Sequence, residues 1–430
     1  MNETVSTVLG EELDPELRED VRLLGELLGR AIAADRGPAF LTTIEHVRAL
    51  AKGVRRGRAE WSELRAFLAD IPRESLVDVA RAFNQFLNLA NIAEQYHLVR
   101  RRNRLSHDDP RIGLMRATLG RVRAGGRGTD EIAAAFRDLS VELVLTAHPT
   151  EVIRRTLIRK YDGIAEQLAV RDHAEGEERE RCEETLARLV AEAWYTDEIR
   201  HERPTPQDEA KWGFAVIENS LWEALPGFLR GLDRELARLG EDPLPPSAVP
   251  VRFAIWMGGD RDGNPNVTAG VTREVLMLAR WMAADLFLRD VETLLSQLSM
   301  SRATPELQAL AGHDAREPYR EVLRRLRDRL RRTRDWAEGL DPTPPADAGE
   351  LILSQEDLEA PLRACHASLL ASGMQAIAEG ELLDTLRRAA CFGIHLVRLD
   401  IRQSAERHTE VFDALTRHLA ILDGEGRSYG

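Results

Sequence analysis

Three short segments with the composition of β-strands limit what this chain can fold into. They read VELVLTA at 141–147, VRFAIWM at 251–257 and IHLVRLDI at 394–401, and their length and residue types are typical of strands. Long helical stretches separate them, and the order strand, helices, strand, helices is typical of a parallel sheet. The sequence therefore predicts an α/β fold that is predominantly helical.

Polar residues of unusual composition follow each of the three segments. HPTE follows the first at 148–151, GGDRDGN the second at 258–264, and RQS the third at 402–404. Parallel strands bring their C-terminal ends to one edge of the sheet, which is the active face of a (β/α)8 barrel. We therefore expect the three groups to converge on one site. Since only about three of eight strands can be recognised, we expect a TIM-type barrel that is present only in part, as the front portion of something longer.

The chain is expected to divide into an N-terminal helical region, 1–140, and a region 141–430 that holds the first three βα units with long helical insertions. The first helix is predicted to have Asp14 as its N-cap and Pro15 in its first turn, and to stop near Gly37.

The composition indicates a globular protein and argues against several classes of partner. Of 430 residues, 43% are hydrophobic and 30% charged, with a formal net charge of -13, so nucleic acid is a poor partner. No apolar run approaches a membrane span, and the acidic start does not resemble a signal peptide. The three cysteines are far apart and form no Cys-x-x-Cys, which argues against disulfides and structural zinc and fits the cytoplasm.

His148 is the first candidate for chemistry. A lone histidine is more often structural, but this one follows a strand, and Pro149 stiffens the backbone there. Arg154 and Arg155 follow at a spacing that places them one to two turns into the next predicted helix. The start of a helix with paired arginines is a favourable place for a phosphate-like anion. A histidine at such a place could move protons near neutral pH.

The glycine-rich stretch 258–268, GGDRDGNPNVT, is the second candidate. Its alternating acidic and amide residues do not fit an EF-hand, because Pro265 and Val271 stand where that loop needs glycine and glutamate. Structural support and direct ligand contact remain open alternatives, and Trp256 could form an apolar wall of the pocket. The residues considered for ligand contact are Gly258, Gly259, Asp260, Arg261, Asp262 and Asn264.

Arg402 is the third candidate. Asp400 and Arg402 alternate with Leu399 and Ile401 at the end of a predicted strand, so the two charged side chains are expected on one face. The planar fork of an arginine suits phosphate or carboxylate, whereas a salt bridge at the sheet rim is the structural alternative. The arginine-dense stretch 319–336 is interpreted differently. Leu323, Leu326, Leu330 and Trp336 trace one face of an amphipathic helix, which leaves its arginines to solvent or to partner carboxylates.

Together these stretches resemble the phosphoenolpyruvate carboxylase family, in particular its bacterial form. TAHPTEVIRR (146–155), the block 196–222, FAIWMGGDRDGNPNVT (253–268) and RLDIRQS (398–404) are similar to family blocks in the same order. The resemblance runs from about residue 20 to the end. The stretch RQSAERH (402–408), which includes Ala405, departs from it, since the family usually has an acidic residue after the glutamine.

The resemblance implies an allosteric lyase that carboxylates phosphoenolpyruvate with bicarbonate, giving oxaloacetate and phosphate with Mg2+ or Mn2+, as an anaplerotic supply of the tricarboxylic acid cycle. It implies that His148 takes a proton from carboxyphosphate, that Arg402 holds the substrate phosphate, and, more weakly, that Arg154 and Arg155 bind an activator phosphate. The metal ligands would lie in a later half that this chain does not contain, so no metal ligand is assigned here. A homodimer or homotetramer is implied, and the 430-residue chain alone is expected to be inactive.

Two other functions remain open from the sequence. One is another enolpyruvate-handling barrel enzyme, which would transfer phosphate to a nucleotide instead of releasing it with bicarbonate. The other is a non-catalytic helical module for binding or regulation, for which a change of His148 would leave function intact.

Overall fold

The fold is mostly helical, with one small parallel sheet. The structure is a computed structural model and describes residues 14–104, 115–146, 155–198, 204–261, 263–345 and 347–419. The helices are α1 (Pro15–Arg36), α2 (Pro38–Arg55), α3 (Trp61–Asp70), α4 (Leu76–Arg104), α5 (Met115–Ala124), α6 (Thr129–Arg137), α7 (Arg155–Arg171), α8 (Gly176–Tyr195), α9 (Pro206–Val216), α10 (Trp222–Arg238), α11 (Ala269–Gln297), α12 (Pro305–Ala311), α13 (Pro318–Glu338), α14 (Gln355–Ala371), α15 (Leu383–Phe392) and α16 (Ala405–His418). The strands are β1 (Val141–Leu145), β2 (Val251–Ile255) and β3 (Arg398–Leu399).

Short helical turns complete the secondary structure of the described residues. They are the 3-10 turns Arg73–Ser75 and Ala348–Glu350, the α-turn Gln375–Ile377, and the π-helical segments Ile217–Leu221 and Ala378–Leu382. Among the helices described, none is both long and apolar enough to cross a membrane.

The chain forms two compact units, and each of them is made of two separate segments of the sequence. The first comprises Met1–Leu119 and Ile153–His201, and the second comprises Gly120–Val152 and Glu202–Gly430. The expected division at residue 140 differs from this, because α7 and α8 bury Ile164 and Leu186 in the same core as Leu24 and Leu89 of α1 and α4. The first unit is therefore assembled from segments on both sides of β1.

Helix α1 has the ends that the sequence predicts. The carboxylate of Asp14 accepts a hydrogen bond from the backbone N–H of Glu16 at 3.0 Å, and Pro15 occupies the first turn. Gly37 ends the helix with φ 85°, a conformation that glycine adopts without the strain of a side chain. The prediction for this helix is confirmed.

A buried network of charges holds the helices of the first unit together. Asp20 of α1, only 1% exposed, lies 2.8 Å from Arg100 of α4 and 3.4 Å from Arg171 of α7. Arg100 also binds Asp172 at 2.5 Å. Buried ions are tolerated only when they are paired and hydrogen-bonded, so this network fixes how the three helices face each other.

The sheet lies in the second unit and has the order β1-β2-β3, with all strands parallel. Central β2 is buried, and its Phe253 stacks on Phe392 of α15 at 4.7 Å between ring centroids. Val141, Leu143 and Val144 of the outer strand β1 are 41%, 46% and 39% exposed. The apolar side chains of β1 are therefore only partly covered by the described residues.

The third strand is shorter than predicted, and β1 and β2 each end two residues early. Residues 394–397, expected as strand, form a turn in which Val397 N donates to His395 O at 2.7 Å. Gly393 and Leu396 both have φ 63°, in the left-handed region. Two left-handed residues so close together prevent an extended backbone, and therefore pairing with β2 begins only at Arg398.

Helix α13 confirms the amphipathic interpretation of the arginine-dense stretch. Leu323, Leu326 and Leu330 are buried, whereas its arginines reach carboxylates and carbonyl groups near the surface; Arg331, for example, binds Glu292 at 2.7 Å. Trp336 lies half-buried near the end of the helix.

Candidate active site at the ends of the parallel strands

The backbones that follow β2 and β3 stay paired beyond the strands themselves. Asp400 N donates to Ile255 O at 3.0 Å, Arg402 N donates to Gly259 O at 3.0 Å, and Arg261 N donates to Arg402 O at 3.1 Å. Asp260 and Arg402 form an isolated parallel bridge. The glycine-rich stretch and the segment with Arg402 are therefore brought together at the C-terminal edge of the sheet, as the sequence predicts for these two.

Trp256 connects the two segments through its side chain. Its indole N–H donates to Asp400 Oδ2 at 3.1 Å, and the guanidinium carbon of Arg402 lies 3.5 Å from the centroid of its ring. Asp400 and Arg402 therefore lie on the same side, as their alternation predicts. Stacking on an indole attracts the cation and leaves the N–H groups at its edge free for an anion.

These contacts do not include the salt bridge that was the structural alternative for Arg402. Among the described residues, no carboxylate lies within ion-pair distance of the Arg402 guanidinium, and its side chain is exposed. An exposed arginine that is held by an aromatic face can bind an anion without first breaking an ion pair.

Two glycines allow the close packing of this region. A Cβ at Gly259 would overlap the carbonyl oxygen of Asp400, and a Cβ at Gly258 would lie 2.6 Å from Val275 Cγ2. Gly258 also has φ 82°, which disfavours other residues. The absence of a side chain at these glycines therefore lets the segment after β3 and helix α11 pack closely against the loop.

Arg261 and Thr272 fix the loop to the start of α11. The Thr272 hydroxyl donates to Gly258 O at 2.7 Å and accepts from Arg261 Nη2 at 3.3 Å. Arg261 Nη1 also donates to Gly259 O at 3.3 Å. The guanidinium of Arg261 is thus used on the loop itself, which favours structural support over ligand contact for this residue.

Asn264 makes a turn at the far end of the loop. Its Oδ1 accepts from Asn266 N at 3.0 Å, and its backbone N–H donates to Arg261 O. An asparagine that bonds its own backbone two residues on is typical of a turn. Asp260 differs, because no described side chain bonds its half-buried carboxylate.

The structure brings part of the predicted site together and leaves part of it outside the description. Trp256, Gly258, Gly259, Asp260, Arg261 and Arg402 lie together, and Asn264 lies just beyond them. His148, Arg154 and Asp262 lie outside the described residues. Arg155 is the first residue of α7, and nothing of its side chain is described.

Two residues of this region were not among the predicted contacts. Asp400 holds the Trp256 indole, and Thr272 joins the loop to α11. A buried indole N–H needs an acceptor, so a carboxylate near Trp256 could have been anticipated. The role of Thr272 depends on a loop-to-helix contact that no local pattern reveals.

The described residues do not supply a metal site at the strand ends. Within the part of the chain that the structure describes, the one group of three metal-binding side chains is Asp14, Glu16 and His97, in the first unit. Both oxygens of Glu16 already bind Arg104, at 2.5 and 2.6 Å, and Arg100 lies 3.6 Å away. This carboxylate is compensated by cations and does not fit a divalent ion.

Comparison with known proteins identifies the family. A sequence model described as phosphoenolpyruvate carboxylase matches residues 17–426. Proteins named phosphoenolpyruvate carboxylase from Pseudomonas paraeruginosa and Pseudomonas aeruginosa are 57% and 56% identical over 415 residues, and one from Pseudomonas entomophila is 54% identical over 412. Each alignment covers 95% of this chain and 47% of the relative.

These matches agree with the observed fold, which is mostly helical with a small parallel sheet. In this fold Arg402 and the glycine-rich loop meet at the C-terminal ends of β2 and β3. The chain belongs to the phosphoenolpyruvate carboxylase family. It spans about half the length of the curated relatives it matches.

Proposed function

We propose that this chain forms the N-terminal part of a phosphoenolpyruvate carboxylase active site. The reaction joins phosphoenolpyruvate and bicarbonate to give oxaloacetate and inorganic phosphate. Family membership supports the reaction, and the three parallel strands are proposed to be the first of a (β/α)8 barrel completed by residues outside this chain.

The observation that carries the proposal is the setting of Arg402. Its guanidinium stacks on Trp256 at the C-terminal ends of neighbouring parallel strands, and no described carboxylate neutralises it. It is proposed to bind the phosphate of phosphoenolpyruvate and to stabilise the charge that develops as the phosphoryl group moves to bicarbonate. Trp256 and the 258–264 loop would form the wall beside it.

His148 is proposed as the group that moves the proton. Bicarbonate attacks the phosphoryl group, which gives carboxyphosphate and the enolate of pyruvate. His148 takes the carboxyphosphate proton as this species breaks to CO2 and phosphate, and the enolate carbon then attacks CO2. A histidine suits this step because its ordinary pKa lies near neutral pH.

The remaining parts of the proposal rest on the family resemblance and not on described side chains. Mg2+ or Mn2+ supplies Lewis-acid chemistry in the family, and its ligands are assigned to a part of the protein that this chain does not contain. Arg154 and Arg155 are proposed, from the resemblance alone, as an activator-phosphate site. A homodimer or homotetramer in the cytoplasm, with an anaplerotic role, is part of the same proposal.

The test is an activity assay on a chain that covers the relatives' full length. This chain would be joined to the part of the Pseudomonas aeruginosa relative that it does not cover, and bicarbonate-dependent oxaloacetate formation would be measured. His148→Asn is expected to lower kcat by about 10²–10⁴-fold, and Arg402→Gln is expected to raise KM for phosphoenolpyruvate. The 430-residue chain alone is expected to show no turnover.

The control is His173→Asn, an exposed histidine after α7 that should leave the rate unchanged. Normal oxaloacetate production by His148→Asn would remove this histidine from the mechanism. Phosphate transfer to a nucleotide, without a need for bicarbonate, would favour another enolpyruvate-handling enzyme. If the joined protein were active and neither His148→Asn nor Arg402→Gln changed its kinetics, the role of this chain would be purely structural.

A further inference from the structure

Asp400 and Arg402 are opposite charges that lie two residues apart on the same side of the chain and still do not pair. Neither side chain has an ion-pair partner among the described residues. Neighbouring charges do pair elsewhere, since Arg327 Nη2 lies 2.8 Å from Asp328 Oδ1. The separation of Asp400 from Arg402 therefore needs a physical cause.

The backbone does not keep the two side chains apart. It is fixed at both residues, because Asp400 N donates to Ile255 O at 3.0 Å and Arg402 N donates to Gly259 O at 3.0 Å. Residues two apart in an extended segment are separated by about 7 Å and face the same way. An exposed arginine can span that distance by rotating its side chain, so pairing with Asp400 requires no change in the backbone.

The indole of Trp256 is what separates the two charges. Its Nε1 lies in the plane of the ring and donates to Asp400 Oδ2 at 3.1 Å, so the carboxylate is held at the edge of the ring. The guanidinium carbon of Arg402 lies over the face of the same ring, 3.5 Å from its centroid. One side chain thus holds the anion at its edge and the cation on its face.

A second trio of the same residue types shows what happens when the arginine is not centred on the ring. The indole N–H of Trp222 donates to Asp290 Oδ1 at 3.2 Å, as Trp256 does to Asp400. Arg388, however, lies 5.5 Å from the centroid of the Trp222 ring, and its Nη1 is 3.0 Å from Asp290 Oδ2. A carboxylate bound to an indole can therefore still neutralise an arginine.

We propose that Trp256 is a spacer that prevents Asp400 from neutralising Arg402, so that the guanidinium stays available for the phosphate of phosphoenolpyruvate. The inference rests on the proposed function of Arg402 as the phosphate ligand. Asp400 is a positioning residue in this scheme, because its carboxylate anchors the ring on which Arg402 rests. An ion pair between Asp400 and Arg402 would have to be broken before the phosphate could bind.

A double-mutant cycle in the joined, full-length protein tests the proposal, with the KM for phosphoenolpyruvate as the readout. Trp256→Phe keeps an aromatic face but removes the indole N–H, which frees Asp400 to pair with Arg402. KM should rise about 2- to 5-fold, the range expected for an exposed ion pair that competes with the substrate. Adding Asp400→Asn should reverse most of this rise, because an amide cannot form the ion pair.

The same Asp400→Asn substitution should have the opposite effect when Trp256 is present. The amide oxygen accepts the indole N–H more weakly than a carboxylate does, so the ring is held less firmly and KM should rise. If Asp400→Asn changed KM by the same factor in both backgrounds, Trp256 would not separate the two charges, and the inference would be wrong.

Asp260→Asn is the control for a general effect of charge. Asp260 forms the backbone bridge with Arg402, and no described side chain bonds its carboxylate. Removing this negative charge should change KM by the same factor with and without Trp256→Phe. Rescue of Trp256→Phe by Asp260→Asn as well as by Asp400→Asn would overturn the assignment to Asp400.

Arg402→Gln separates failure of this inference from failure of the proposed function. If Arg402→Gln leaves the KM for phosphoenolpyruvate unchanged, Arg402 is not the phosphate ligand and both proposals fall. If Arg402→Gln raises KM but the cycle between Trp256 and Asp400 shows no coupling, only the spacer role is lost.

A measurement without substrate tests the anchoring bond directly, in case the double variant does not fold. The 430-residue chain has seven tryptophans, and Trp256→Phe identifies the indole N–H signal of Trp256 in a two-dimensional 1H–15N spectrum. Asp400→Asn should move that signal upfield, because its proton loses a charged acceptor, whereas Asp260→Asn should move it less. An indole signal that does not respond to Asp400→Asn would overturn the inference.

Discussion

The guanidinium of Arg402 rests on the ring of Trp256, 3.5 Å from guanidinium carbon to ring centroid, while Asp400 holds the indole N–H from the other segment. The tryptophan thus joins two stretches that are far apart in sequence, and the arginine takes its position from the ring. A cation held in this way is oriented before any anion arrives, which lowers the entropy cost of binding.

Removing the ring should weaken anion binding by Arg402. Trp256→Leu deletes the cation–π contact, which is worth about 0.5–1 kcal/mol at an exposed site, or roughly 2- to 5-fold in affinity. The measurement is the Kd for phosphoenolpyruvate by calorimetry in the joined, full-length protein. Trp61→Leu, at a 66% exposed tryptophan of α3, is the control. Equal affinities for the two variants would show that Trp256 does not position Arg402.

Gly259→Ala should destabilise the second unit. The added methyl group would overlap Asp400 O and disturb the pairing beyond β2 and β3, and such overpacking costs about 1–3 kcal/mol. Gly227→Ala, in the exposed interior of α10 where nothing lies within 4 Å, should instead raise the free energy of unfolding by about 0.5–1 kcal/mol. Urea unfolding measures both, and a stabilised Gly259→Ala chain would contradict the packing described.

Asp20→Ala should strongly destabilise the first unit. It would leave the buried guanidinium groups of Arg100 and Arg171 short of a partner, and breaking a buried charge pair costs about 3–5 kcal/mol. Glu45→Ala removes an exposed pair with Arg48 on α2 and should cost less than about 1 kcal/mol. If Asp20→Ala and Glu45→Ala lowered the free energy of unfolding by similar amounts, the buried network would not be what holds these helices together.

The three cysteines should be unreactive in the folded chain. Burial raises the pKa of Cys365 to about 12 and of Cys391 to about 11, and it also raises the pKa of Cys182. Labelling with Ellman's reagent at pH 8 should therefore be slow, because the thiolate is the reacting species. In denaturant all three thiols should react, and rapid labelling of the native chain would contradict their burial.

The raised pKa values of these thiols also predict how the free energy of unfolding changes with pH. The folded pKa values of Cys365 and Cys391 lie above the ordinary value of 9.0, so folding favours the protonated thiols. Their contribution to stability is complete below pH 9 and is lost as pH rises toward 11 and 12. Replacing both by alanine should reduce the fall of the unfolding free energy above pH 9, measured by urea titration at each pH. An unchanged slope would show that these thiols ionise equally in both states.

The parts of the fold that depend on neighbouring residues could be predicted from the sequence. Asp14, Pro15 and Gly37 mark the ends of α1 because caps and left-handed glycines act within a few residues. Val251–Ile255 could be recognised as a strand from its composition. The meeting of the 258–264 loop with Arg402 followed from one rule, that parallel strands end at one edge.

The parts that depend on distant contacts could not be predicted. No local pattern shows that α7 and α8 share a core with α1, or that Leu396 adopts a left-handed turn before β3. The predictions for His148 and Arg154 stay predictions, because they lie outside the described residues.

The first unit is made of two segments that lie on either side of β1 in the sequence, and this sets the order of folding during synthesis. Its core cannot close until α8 has left the ribosome, because Leu186 packs with Leu24 and Leu89. By then β1 has already emerged, yet its partner β2 lies more than a hundred residues further along the chain. At usual translation rates of ~5–20 residues per second, β1 spends about 5–20 s as an unpaired apolar segment. An unpaired strand edge is a template for non-native pairing, so the nascent chain is open to misassociation during this interval, and slow codons between the two strands would lengthen it.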